Sequence, residues 1–284
     1  MKRNLWAFGL AFLSFFFCMP VAAAMGIGTI SQQYARWLVN GTGRDLMTPD
    51  ALRYERLLNL VQSTLGLENI VTALVIGGAA IVLGLTGFMY LHSKKQVDFY
   101  QSLPVKRELL FCVKYLDSFL VILSMYLLNL LFAIGVFAVG GVPVSIFIGG
   151  SLITMLIHMT GFLMIYGVMV LAVLLTGNFF ISILGAGVLY GYVPAAAVLM
   201  QGLMYLFFVT VDGREMPFKK IMLNGSPISY YGSIIGKGFE QRMISYAEYL
   251  SAGETALSLQ RASGYGNLLG KTGAGLAAAL ILFQ

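Results

Sequence analysis

Charge is what this chain has least of. Lysine, arginine, aspartate and glutamate together make up 11% of its 284 residues, where soluble domains carry roughly a quarter. So few charges cannot cover the surface of an ordinary water-soluble domain. Cysteine is also scarce: Cys18 and Cys112 both lie in apolar surroundings and set up no disulfide framework. No Gly-x-Ser-x-Gly, no His-Glu-x-x-His and no pair of intramembrane carboxylates is present, so the sequence offers no catalytic residues, metal ligands or cofactor site. The net charge of +6 is scattered over several segments without a dense basic patch, which excludes a nucleic-acid partner. Positive charge beside long apolar runs reads instead as membrane topology.

What the chain does have is apolar sequence, 58% of its residues, with a mean hydropathy of +0.83. The expected fold is all-α: a polytopic integral membrane protein with about six transmembrane helices forming a single transmembrane domain over residues 1–284. A pass needs ~20 apolar residues, and the passes fall at 5–25, 70–91, 109–139, 144–175, 179–210 and 267–284. Gly140-Gly141-Val142-Pro143 and Thr176-Gly177-Asn178 are turn-like breaks inside the long apolar run that follows Leu109. The second pass is dense in small residues (Gly77, Gly78, Ala79, Ala80, Gly84, Gly87) and is expected to pack tightly on a neighbouring helix. Two longer polar segments, 26–69 and 211–266, are expected as external loops. Within the first, Thr48-Pro49-Asp50 reads as a turn or helix start and Tyr54–Leu65 has helical spacing. Turns are expected to dominate the first half of the second, with a short amphipathic helix at Arg242–Leu250.

The two ends leave choices open. Lys2-Arg3, an apolar stretch and Ala22-Ala23-Ala24 fit either a cleavable signal peptide or a retained first helix with its N-terminus in the cytoplasm. The last segment stops in apolar sequence with no polar tail, so the chain is expected to be the N-terminal part of a longer polypeptide. Near that end, Gly264–Thr272 contains Gly-Lys-Thr, but Tyr265 stands where a phosphate-binding loop needs its first glycine and no strand precedes it. ATP hydrolysis is therefore not expected in this chain.

Four polar residues within or beside the apolar runs stand out: His158, Asn129, Asn178 and Gln201. Intramembrane polar groups are functional candidates by default. Without a partner set they read as helix-packing and hydrogen-bonding residues, since interhelical bonds of ~0.6–2 kcal/mol explain them.

The charged segment between the second and third passes, residues 92–108, is the most informative stretch. At about 100° per residue, Gln101, Lys94, Asp98, Ser102 and Lys95 share one arc, while Val97, Tyr100, Leu103 and Phe99 share the opposite one. This spacing predicts a short amphipathic helix, a corner at Leu103-Pro104, and a second helix starting near Val105. On pattern alone such a helix can rest on the lipid surface, its lysines held by anionic headgroups. The run Asp98 to Leu116, DFYQSLPVKRELLFCVKYL, with Ser102–Glu108 as its most specific part, also resembles the first cytoplasmic loop of permease subunits of ABC-2-type transporters from Gram-positive bacteria. That resemblance implies a coupling helix seated in a groove of a separate ATP-binding subunit, with contacts from Lys94, Asp98, Tyr100, Ser102, Leu103, Pro104, Arg107 and Glu108. It further implies a retained first helix, a bacterial cell-membrane location, a second permease subunit as partner, and export of an unidentified substrate. The alternatives are an ion- or proton-coupled secondary transporter, or a membrane sensor or assembly protein that binds a ligand through its external loops.

Overall fold

The computed structural model describes residues 5–40, 48–92, 94–102, 106–207, 218, 221 and 224–238. Every regular element among the described residues is a helix, and five helices are long and apolar enough to cross a membrane. The sixth pass, the Arg242–Leu250 helix and the Gly264–Thr272 segment expected from the sequence lie outside the described residues.

The first helical run has two halves, α1 (Leu5–Phe16) and α2 (Ala22–Asn40), joined through one wide π-turn at Phe17–Val21. Pro20 has no N–H to donate, and the Ala22 N–H reaches back five residues to the Phe17 carbonyl. The run does not stop near residue 25: helix continues through Thr29, Gln32 and Tyr34 to Asn40. After it comes α3 (Pro49–Leu65), whose start is fixed by Thr48 Oγ1 accepting from the Ala51 N–H at 3.3 Å and by Pro49 in the first turn. Most of the expected 26–69 loop is therefore a helical hairpin. Leu57, Leu58, Val61 and Leu65 bury one face of α3, the Leu60 side chain lies against Gly26 of α2, and the Tyr34 hydroxyl donates to Asp50 Oδ1 at 2.6 Å. These segments are polar enough to read as loop, but the apolar stripe still closes one helix on the other.

Next comes α4 (Ile70–Phe88), extended by a 3₁₀ turn at Met89–His92. Asn69 holds the junction: its Oδ1 accepts from the Thr72 N–H (3.0 Å), and its Nδ2 donates to Thr64 O (2.8 Å) and Cys18 O (3.4 Å). The helices α5 (Lys94–Gln101), α6 (Arg107–Val139), α7 (Val144–Leu175), α8 (Phe179–Phe207) and α9 (Pro227–Gly238) complete the described chain. Between α6 and α7 the Val142 N–H bonds to Phe137 O and the Gly141 N–H to Ala138 O, both at 3.1 Å. This capping turn puts Gly141 at φ +86°, a conformation glycine adopts without a Cβ clash.

The bundle is built around α7. A Cβ on Gly84 of α4 would lie 2.7 Å from Met169 Cγ, and one on Gly77 would meet Ile165 Cδ1 at 3.7 Å, so α4 and α7 run parallel in close contact. The small residues of α4 thus allow the tight packing their pattern suggests. Helix α6 runs antiparallel to α7, as the ring pairs Phe137–Phe147 (5.8 Å), Tyr126–His158 (6.0 Å), Phe119–Phe162 (6.4 Å) and Tyr115–Tyr166 (4.8 Å) show. In this register α4 begins beside the middle of α7, where Leu67, Ile157 and Ile234 of α9 form a small buried cluster. The second polar segment is therefore not all turn: Pro227 starts a helix that packs on the centre of the bundle, with the Tyr231 ring filling the space that glycine leaves at Gly161.

Candidate functional site

Two places gather the residues singled out by the sequence. The first is the end of the bundle where α4, α6 and α7 meet α5. Phe88, Phe111, Tyr115 and Tyr166 stack there in sequence, with ring centroids 5.3, 6.0 and 4.8 Å apart, and tie the end of α4 to the start of α6 and the last turns of α7. Such aromatic contacts contribute ~0.5–1.5 kcal/mol each beyond their buried area. On this floor α5 packs against the Met89–His92 turn.

The described side chains of its polar arc, Lys95, Asp98 and Ser102, are exposed, and Val97 on the other arc is half-buried. The Ser102 N–H donates to Asp98 O at 3.0 Å, which carries the helical turn one residue past Gln101. Lys106 and Glu108 are exposed at the foot of α6, where the acid sits in the first turn and complements the helix dipole. Lys94, Tyr100 and Arg107 lie within α5 and α6 by their backbone, and Leu103 and Pro104 lie outside the described residues. This end thus presents both signs of charge on a short helix and the Ser102 hydroxyl just past it, a surface for polar contact with a protein or a headgroup layer.

Sequence reasoning passed over how this end is fastened. His92 Nε2 lies 3.3 Å from Ser182 Oγ on α8, and Ser182 Oγ lies 2.5 Å from Thr176 Oγ1 at the end of α7. Ser182 is fully buried. The residue that leads into α5 is thereby bonded to the α7–α8 turn. The signal was weak in the sequence: a histidine at the boundary of an apolar run and a serine one turn inside the next. Asn178 belongs to this turn as well. Its Oδ1 accepts from the Phe180 N–H at 3.1 Å and its carbonyl from Ser182 N–H at 2.9 Å, so it caps α8 locally and makes no interhelical side-chain bond among the described residues.

The second place is the middle of the bundle. His158 on α7 is fully buried, and its Nδ1 is 2.6 Å from the Tyr231 hydroxyl of α9. Tyr231 was missed because Ser226-Pro227 reads as a turn, yet it is the same serine-or-threonine then proline signature that starts α3. Here Ser226 O accepts from the Tyr230 N–H at 2.7 Å. Asn129 on α6 is also fully buried; its Nδ2 donates to Met125 O (2.8 Å) and, at 3.5 Å, to Phe12 O of α1. Gln201 is buried on α8, and neither amide atom has a partner among the described residues. The sequence-selected residues therefore fall into separate groups: α5 and its neighbours at one end, His158 and Asn129 at the centre, and Gln201 on α8, with no bond to either group among the described residues.

Among the described residues no group of three histidine, cysteine, aspartate or glutamate side chains is placed to hold a metal ion. No protein-family model, no curated protein and no solved structure matches this chain.

Proposed function

We propose that the chain is the membrane-spanning permease subunit of an ATP-driven ABC-2-type transporter, an exporter in the bacterial cell membrane with its N-terminus in the cytoplasm. The observation that carries the reading is α5 itself. A short helix with an exposed polar arc stands between two long apolar helices, in the segment whose sequence resembles the coupling loop of that family. In this reading an ATP-binding partner grips the 92–108 segment, two such permease halves make the working unit, and nucleotide-driven closure of the partners pushes on α5. The push reaches the α7–α8 turn through His92, Ser182 and Thr176, and α7 passes it to α4 and α6, which pack along its length. Residues 118–207 contain no lysine, arginine, aspartate or glutamate, and the absence of mid-membrane acids and of a visible inverted repeat favours this reading over an ion-coupled carrier.

The test is copurification from the native cell after gentle solubilisation, comparing the wild-type chain with the double variant Leu103→Asp, Arg107→Glu. An ATP-binding subunit that accompanies the wild type and is lost from the variant is the expected result. Absence of any such subunit, under conditions that keep other membrane complexes intact, overturns the proposal.

A further inference from the structure

The antiparallel seam between α6 and α7 contains three buried polar atoms without a partner among the described residues: His158 Nε2, Asn129 Oδ1 and Thr154 Oγ1. All three side chains are fully buried, at 0% exposure. Their positions follow from the helix register. Tyr126 faces His158 and Phe137 faces Phe147. Between those ring pairs Asn129 lies one turn beyond Tyr126 on α6, and Thr154 lies one turn from His158 in the same direction on α7.

Thr154 also departs from the pattern of its neighbours. Ser151 and Thr160 of the same helix, Thr176 at its end, and Ser14, Thr29 and Thr86 of others each donate their hydroxyl to the carbonyl four residues back, at 2.8–3.0 Å, while Thr72 Oγ1 of α4 shares the unpartnered state of Thr154. Thr154 makes no such bond. Leaving a hydroxyl, an amide oxygen and a ring nitrogen unmade in an apolar seam costs ~1–3 kcal/mol apiece, and three such atoms within about one helical turn of one another along the seam point to a shared occupant.

We propose that the layer of His158, Asn129 and Thr154 is the binding site of a buried water molecule that bridges α6 to α7 beneath the Tyr231 contact. Water fits where a fixed ligand does not. Asn129 Oδ1 only accepts, the Thr154 hydroxyl does either, and His158 Nε2 donates or accepts according to which partner holds the proton of the Nδ1–Tyr231 bond. Water supplies two donors and two acceptors and serves all of these combinations. The occupant would convert three uncompensated atoms into a network joining α6, α7 and α9, with α1 attached through the Asn129–Phe12 contact.

The experiment is a double-mutant cycle on the full chain in detergent or nanodiscs, read as thermal-unfolding midpoints of Thr154→Val, Asn129→Leu and the pair. Valine keeps the shape of threonine and removes only the hydroxyl. If water bridges the layer, Thr154→Val lowers the midpoint by about 2–4 °C, the equivalent of one lost hydrogen bond, and the pair loses less than the sum of the singles because both bonds run to one molecule. If the seam is dry, removing an unpartnered hydroxyl leaves the midpoint unchanged or raises it, the two effects add, and the proposal fails. Should a variant not fold, an experimental structure of the wild type at a resolution that shows ordered water decides: density between the three atoms supports the site, and an empty seam overturns it.

Discussion

Helices α7 and α8 are the most instructive pair in the molecule. They follow one another in the chain, have similar lengths of 32 and 29 residues, and are both free of charge. Yet 78% of the apolar window of α7 is buried in the bundle, against 11% of that of α8. Phe180, Ile181, Leu184, Val188, Leu199 and Leu206 of α8 are left facing outward, while α7 is surrounded by α3, α4, α6, α8 and α9. Hydrophobicity alone cannot separate the two, because lipid is as apolar as a leucine side chain and an exposed face costs nothing in a bilayer. What marks the central helix is shape and polarity: α7 carries Gly161 against Tyr231 and a stripe of Ser151, Thr154 and His158 toward α6.

Glycine substitutions should break this contrast hardest. Gly84→Leu on α4 drives a side chain into Met169 of α7 and should destabilise the fold by about 1–3 kcal/mol or more through overpacking. Gly187→Leu on α8, where a Cβ meets nothing, should leave the unfolding midpoint almost unchanged. Equal effects would mean that α8 is covered in the protein as it works, as by a second copy.

Truncation comes next. For Phe162→Ala the transfer term shrinks, because the unfolded helix remains in lipid, but the cavity against Phe119 and Tyr166 remains. A loss of roughly 2 kcal/mol is expected, set against less than ~0.5 for Leu199→Ala on the open face of α8. Denaturant titration in mixed micelles reads both.

The smallest difference is between two hydroxyls. Tyr231→Phe leaves buried His158 Nδ1 without its partner and should cost about 1–2 kcal/mol. Tyr190→Phe removes a 2.6 Å bond from α8 to Ile165 O, a carbonyl that sits inside α7, and should cost about 0.6 kcal/mol. If Tyr190→Phe proves the more damaging, α8 is held to the bundle more firmly than its exposed surface suggests.

The legible part of the fold was the part governed by run length and turn chemistry. Leu109–Val211 is too long for one helix, and Gly140-Gly141 and Gly177-Asn178 supply the left-handed residue and the cap that divide it. The amphipathic arc of α5 was readable because its period falls inside a short charged segment. Within the 26–69 and 211–266 segments the helical spacing of Tyr54–Leu65 was readable, but the continuation of the first helix to Asn40 and the helix at Pro227–Gly238 were not. Their polar residues and proline pairs resemble loop, and only tertiary partners, Leu60 on Gly26 and Tyr231 on Gly161, show which face is covered. The same limit applied at the site. His158 stood out as a lone histidine, but Tyr231 lies 73 residues away in sequence, and nothing local announces that pairing.

The wide turn at Phe17–Val21 keeps the first helix in phase with the bundle. Ala11, Phe15, Met19 and Ala23 are all buried and are spaced by fours. On an uninterrupted α-helix each step of four overshoots a full turn by about 40°, so three steps would carry Ala23 roughly 120° away from Ala11. One residue absorbed without advancing the winding takes back about 100° of that drift. The turn around Pro20 is thus a rotational correction. Deleting a single residue within it would leave the helix intact and aim everything beyond it, including Gly26 and its contact with Leu60, at the wrong neighbour.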